Sequence, residues 1–171
     1  VTGANWKIVP TTPADIGDLL ELIEALAAFE RLSHLVIATE GDLAEALFGP
    51  DPAAEALIVR EGGENGPAIA FALYFTNFST FLGRRGLWLE DLFVRPQHRG
   101  RGIGRALLEA LAATARSRGY GRFEWAVLDW NAPAIGFYER MGATILADWK
   151  IARVTGRALD DFGSEAASDA E

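Results

Sequence analysis

The sequence predicts an α/β (α+β) domain, with a central mixed, mostly antiparallel sheet of six to seven strands flanked by about four helices. Three observations carry this expectation. Two apolar, β-branched and aromatic runs, 56–61 and 68–76, are separated by Gly62-Gly63-Glu64-Asn65-Gly66-Pro67, the pattern of an antiparallel hairpin. A longer apolar run, 86–94, passes through a Gly-rich turn into an amphipathic segment from Ile103 to about Arg118, and a second apolar run at 123–128 follows as its parallel partner. Finally, the 171 residues are 50% hydrophobic and contain no cysteine, so one core can form without disulfides. Length argues for a single domain over 1–155, and the Gly-, Ala-, Ser- and acid-rich tail 156–171 is expected to fray.

In chain order, 6–9 reads as a short first strand interrupted by Pro10 and Pro13. Ile16, Leu19, Leu20, Ile23, Leu26 and Ala27 recur at helical spacing, giving an amphipathic helix from Ala14 to near Phe29. Thr39 with Asp42 resembles a capping box, Asp replacing the usual Glu, for a second short helix through Phe48. The hairpin, the central strand 86–94, the long helix and the strand 123–128 come next. Residues 132–141 form a short helix with Pro133 in its first turn, where proline is tolerated. Residues 143–146 and about 149–154 read as two closing strands, and no internal repeat is present.

The turn Gln97-His98-Arg99-Gly100-Arg101-Gly102-Ile103-Gly104 links the central strand to the long helix. Its glycines let backbone approach phosphate oxygens, and the unpaired N–H groups at the positive end of the helix dipole supply an anion site. Arg95, His98, Arg99, Arg101 and Arg105 surround it. A P-loop needs Lys followed by Ser or Thr, whereas Arg105-Ala106 stand there. A dinucleotide fingerprint needs an acidic residue about twenty positions on, and Glu124 stands at that offset, but only one such unit fits in the chain.

A second constellation decides between these readings: Asn131-Ala132-Pro133-Ala134-Ile135-Gly136-Phe137-Tyr138-Glu139-Arg140-Met141-Gly142-Ala143. The two segments, their order and the intervening strand resemble the GCN5-related N-acetyltransferase (GNAT) superfamily over about residues 6–154. The resemblance implies a sheet whose parallel pair splays apart at the acetyl-coenzyme A site. It also implies that Arg99, Gly100, Arg101, Gly102, Ile103, Gly104 and Arg105 hold the pyrophosphate. Backbone groups of Leu92, Phe93 and Val94 would hold the pantetheine arm and polarise the acetyl carbonyl. Asn131, Pro133, Ala134 and Phe137 would contact the cofactor, although Asn131 reads equally as a helix N-cap and Phe137 as a core aromatic.

Acetyl transfer to nitrogen requires that an ammonium with a pKa near about 10.4 lose a proton, so a carboxylate near the acceptor is expected. Glu90, in Leu89-Glu90-Asp91-Leu92-Phe93-Val94, is the candidate base. Strand alternation puts Glu90 and Asp91 on opposite faces unless a bulge intervenes. Tyr138 is the candidate acid toward the departing thiolate, its alternative being a core aromatic. With no cysteine, transfer must be direct rather than through an acetyl-thiol.

Within the superfamily the chain is most similar to the spermidine/spermine (diamine) and thialysine N-acetyltransferase branch. Ala27-Ala28-Phe29-Glu30, the Leu89–Val94 and Arg99–Gly104 segments and Trp130-Asn131-Ala132-Pro133-Ala134-Ile135-Gly136-Phe137-Tyr138 carry this. The resemblance implies a homodimer with an acid-lined channel, in which Phe29, Glu30, Glu90 and Asp91 meet the amine, Glu124, Trp125 and Ala126 line the channel, and Asp148 is what remains of an acidic run. Phe29 replaces a frequent Tyr, Glu124 a more usual non-acidic residue, and the segment from Gly142 to Trp149 is short. These departures bear on polyamine specificity rather than on the chemistry.

The formal net charge of −8 argues against nucleic acid and anionic membrane as partners, and for a small cationic amine beside an anionic cofactor. Acidity that merely maintains solubility is the alternative. Absence of cysteine, of a leader pattern and of a long apolar run leads to a cytoplasmic expectation, and the Val at position 1 suggests a processed or trimmed N-terminus. Asn77-Phe78-Ser79 fits a glycosylation sequon by accident. His34 and His98 lack further ligands at metal spacing, so no metal is expected, and no Ser-His-Asp arrangement is persuasive. Trp88, Trp125, Trp130 and Trp149 read first as core or interface aromatics, with Trp125 and Trp130 as possible walls of an amine channel. Two further readings stay open: the same chemistry on a protein N-terminus, a lysine, an aminoglycoside or an amino-acid-like toxin, and a coenzyme A-binding sensor without turnover.

Overall fold

The computed structural model describes residues 5–163. The chain divides into two compact units, Val1–Leu128 and Asp129–Glu171. The first contains a five-stranded sheet in the order β1 (Trp6–Pro10), β2 (Glu55–Glu61), β3 (Ala68–Ser79), β4 (Arg84–Val94) and β5 (Phe123–Trp125). The first four strands pair antiparallel, and β4 pairs parallel with β5. The mixed, mostly antiparallel sheet expected from the sequence is therefore present.

Helix α1 (Ile16–Glu30) and helix α2 (Glu40–Phe48) place Ile16, Leu19, Leu22, Leu43 and Leu47 in one cluster with Ile58, Phe71 and Phe93 of the sheet. Thr39 caps α2 as its sequence suggests, its hydroxyl accepting from the Asp42 N–H while Asp42 accepts from the Thr39 N–H. Helix α3 (Ile103–Ser117) packs on β3 and β4 and fully buries Ile103, Leu107 and Leu111. The start of α1 is tied to the β2–β3 hairpin by buried Arg60, which donates to Asp15, to Asp18 at 2.7 Å and to the Gly66 carbonyl at 2.8 Å.

Two features of this unit position the site. Across β3 and β4, Leu73 faces Asp91 and Tyr74 faces Leu89, so Glu90 is an extra residue in β4 and forms a β-bulge. The parallel rungs to β5 run Leu87 with Phe123, Trp88 with Glu124 and Leu89 with Trp125, and stop there. β5 is thus shorter than the expected 123–128, its last rung falling at Leu89, immediately before the bulged Glu90.

In the second unit, α4 (Ala132–Arg140) forms where Pro133 and the Asn131 cap predict it, and α5 (Arg157–Asp160) is a single turn. The two closing strands expected at 143–146 and 149–154 do not form among the described residues, so the count is five strands rather than six to seven. Apolar composition suggested them. A strand, however, exists only as a partner in a ladder, and the regular elements of this unit are helices. Part of the tail expected to fray is α5, and 164–171 lie outside the described residues. No helix among the described residues is long and apolar enough to cross a membrane.

Candidate active site

The Gly-rich turn has the geometry of an anion site. A 3-10 turn at Pro96–His98 leads to Gly100 (φ 74°) and Gly102 (φ 78°), and Gly102 is the N-cap of α3. Nothing within 4 Å would meet a Cβ at either glycine, so the left-handed backbone rather than lack of room requires them. No side chain caps α3, which leaves the first-turn N–H groups and the positive dipole end for a ligand.

The arginines around the turn do something the sequence did not disclose. Arg101 Nη1 donates to Glu61 Oε1 at 2.7 Å and lies 2.8 Å from His98 Nδ1. Arg95 donates to the Ala68 carbonyl at 3.1 Å, and Arg105 lies 3.7 Å from Glu109. Arg99 donates to the Val94 carbonyl at 3.0 Å and stacks its guanidinium 4.5 Å from the Phe29 ring centroid and 5.8 Å from that of Phe93. Arg95, Arg99 and Arg101 thus brace the turn against β3, α1 and β2, and Arg105 pairs within α3.

The bulge brings acids together. Alternation alone would have separated Glu90 from Asp91, but the extra residue breaks the alternation, and the charges of Glu90 and of Glu30 at the end of α1 both act on Asp91. Burial, then the charges of Glu90 and Glu30, push the Asp91 carboxyl up to about 6, and burial pushes Glu30 up as well. Glu90 is exposed, and its Oε2 accepts a hydrogen bond from Trp88 Nε1 at 2.8 Å. From its sequence context Trp88 reads only as a core or interface aromatic. Its position two residues before the acid on one strand was the available signal.

Other candidates lie elsewhere or are already engaged. Glu124 lies 2.7 Å from Arg122 Nε and accepts from Asn77 Nδ2 at 3.1 Å, so its charge is matched within the unit. Trp125 packs near Phe123, ring centroids 4.9 Å apart, and Ala126 follows the end of β5. Leu92, Phe93 and Val94 continue β4 beyond its last rung to β5, with Phe93 buried in the core. In the second unit Tyr138 is buried beside Phe137, their rings 5.4 Å apart, Asn131 accepts from the Ala134 N–H at 3.4 Å, and Asp148 is exposed. No group of three or more His, Cys, Asp or Glu that could hold a metal occurs among the described residues. A cavity of about 550 Å³ bordered by Arg84, Arg85, Arg118 and Tyr120 lies at the other end of α3 from the turn.

The model of the acetyltransferase (GNAT) family matches residues 20–143, which spans the turn, the bulge and α4. The chain belongs to this family. It is similar to a thialysine N-epsilon-acetyltransferase of Mus musculus, 36% identical over 93% of this chain and 98% of that protein. It is also similar to an L-ornithine N5-acetyltransferase of Arabidopsis thaliana, 34% identical over 90% of this chain and 86% of that protein. Among solved structures, an integron cassette protein from the mobile metagenome of V. cholerae superposes with a TM-score of 0.77 at 25% identity, covering 94% of this chain and 99% of the other. This GNAT protein is accordingly an acetyl-coenzyme A-dependent N-acetyltransferase of the branch expected from its sequence.

Proposed function

We propose that this GNAT enzyme acetylates a primary amine of a small cationic acceptor of the diamine or thialysine type, by direct attack, with Glu90 accepting the amine proton and Tyr138 protonating the thiolate. The observation that carries the reading is the bulge that sets Glu90 beside Asp91 where the β4–β5 rungs end, with the charge of Glu30 also felt at Asp91. An ammonium entering this group meets negative potential, and Glu90, the exposed member, is the one able to reach it.

The uncapped N-terminus of α3 and the length of β4 beyond its last rung fit acetyl-coenzyme A, with backbone N–H groups at 102–105 facing pyrophosphate and those of Leu92–Val94 facing the pantetheine arm. That cosubstrate supplies the activated acetyl group. Glu90 removes the proton that blocks the nitrogen lone pair, either directly or through water. Tyr138 supplies a phenolic proton and regains it from solvent.

The names of the two relatives favour an acceptor of amino-acid size bearing a side-chain amine. The Arg122 ion pair at Glu124 agrees, because it leaves less negative charge for the second ammonium of a long polyamine. One acetyltransferase domain over 1–155 and a homodimer belong to the same reading, the dimer supported by exposed Phe78 and Phe81 at the β3–β4 hairpin and testable by sedimentation.

Coenzyme A release measured with thialysine, ornithine, lysine, putrescine, spermidine, aminoglycosides and short peptides tests the proposal. Selective turnover of a small amine is expected, reduced by about 10²-fold or more in Glu90→Gln and by about tenfold or more in Tyr138→Phe with acetyl-coenzyme A affinity retained. Wild-type rates in both variants, or turnover only with peptides, would refute it.

A further inference from the structure

Trp88 lies in β4 opposite Phe75 of β3 and beside Glu124 of β5. Its ring tilts 35° against Phe75 with centroids 6.4 Å apart, a contact that phenylalanine could also make. Its single donor, the indole N–H, is committed to Glu90 Oε2 at 2.8 Å.

Glu90 needs such a partner for a physical reason. As the extra residue of a bulge it has no direct counterpart on β3, and as an exposed glutamate it has three side-chain torsions to fix. Asp91, the next residue on the strand, carries a second carboxylate and offers Glu90 no donor. The indole N–H of Trp88 fixes one of the two carboxylate oxygens of Glu90.

We propose that Trp88 is a positioning residue for acetyl transfer: its indole N–H holds Glu90 Oε2 so that Oε1 is presented to the acceptor ammonium. This rests on the reading of Glu90 as the proton acceptor. Trp88 itself exchanges no proton with the substrate. The proton passes from the ammonium to Glu90, and the Trp88 N–H bond persists throughout.

A double-mutant cycle tests it, using the full chain with saturating acetyl-coenzyme A and the best amine of the panel. Trp88→Phe keeps an aromatic ring against Phe75 and removes the donor. Its kcat is expected to fall about tenfold, the scale of losing one hydrogen bond to a charged group, with acceptor KM changed less than about twofold. In the Glu90→Gln background the same change should cause no further loss, because Trp88 acts only through Glu90. Unaltered kcat in Trp88→Phe, or an equal loss in both backgrounds, would overturn the inference, the second outcome marking a purely structural role. Should Trp88→Phe fail to fold, site-specific benzothienylalanine, which replaces the indole N–H with sulfur at nearly the same shape, gives the same readout. If Glu90→Gln alone keeps full activity while Trp88→Phe is slow, the base assignment fails and the inference falls with it. If Glu90→Gln is slow and Trp88→Phe is not, the inference alone fails.

Discussion

At the scale of single residues, the bulge at Glu90 converts an ordinary pair of acidic side chains into a site with its own titration. Asp91 is pushed up to about 6 by burial and by its carboxylate neighbours, above the usual aspartate range. A carboxyl whose folded pKa exceeds its unfolded one favours folding while protonated, and that contribution is lost as pH rises through the folded value. Ionised Asp91 therefore costs stability above pH 6, and Asp91→Asn is expected to raise unfolding stability at pH 8 by on the order of 2 kcal/mol, the gain vanishing near pH 4. Denaturant midpoints at the two pH values check this, and a destabilised variant at pH 8 would contradict it. The identities of Glu90 and Asp91 were legible in the chain, but their juxtaposition was not. A bulge is a property of two strands in register, and neither Gly nor Pro marks this one in Leu89-Glu90-Asp91-Leu92.

At the scale of elements, the proposed anion site at the turn before α3 rests on main chain, and the left-handed Gly100 and Gly102 are its least exchangeable parts. Gly102→Ala forces a left-handed conformation on a residue with a Cβ, which should cost about 1–2 kcal/mol in stability. It should also weaken acetyl-coenzyme A several-fold in a binding titration, because the first-turn N–H groups are reoriented. Unchanged affinity would show that the turn is not the anion site. This element was readable from sequence because periodicity, glycine placement and a helix start coincide there, as did α1, the capping box of α2 and Pro133 in α4. The closing strands were misread because Ile145, Leu146, Trp149 and Ile151 supply apolar content without a partner ladder, and all four are exposed. Sequence shows the crowding of the arginines around the turn but not Glu61, Glu109, Phe29 or the carbonyls that they meet.

At the scale of the whole molecule, a net charge of −8 and the acidic residues at the bulge would draw the proposed cationic acceptor by long-range attraction. kcat/KM for a dicationic acceptor should therefore fall several-fold between about 20 and 200 mM salt, as the Debye length shrinks from about 20 to under 10 Å, with kcat nearly constant. Salt-independent kcat/KM would leave the acidity with no role beyond solubility. The central claim, that Glu90 removes the proton that blocks the amine, is tested most directly by the pH dependence of Glu90→Gln relative to the unaltered enzyme with one acceptor. The deficit is expected to be about 10²-fold at pH 7 and to shrink steadily toward pH 10, where the amine deprotonates without help. A deficit that stays constant across this range, or none at pH 7, would contradict the claim.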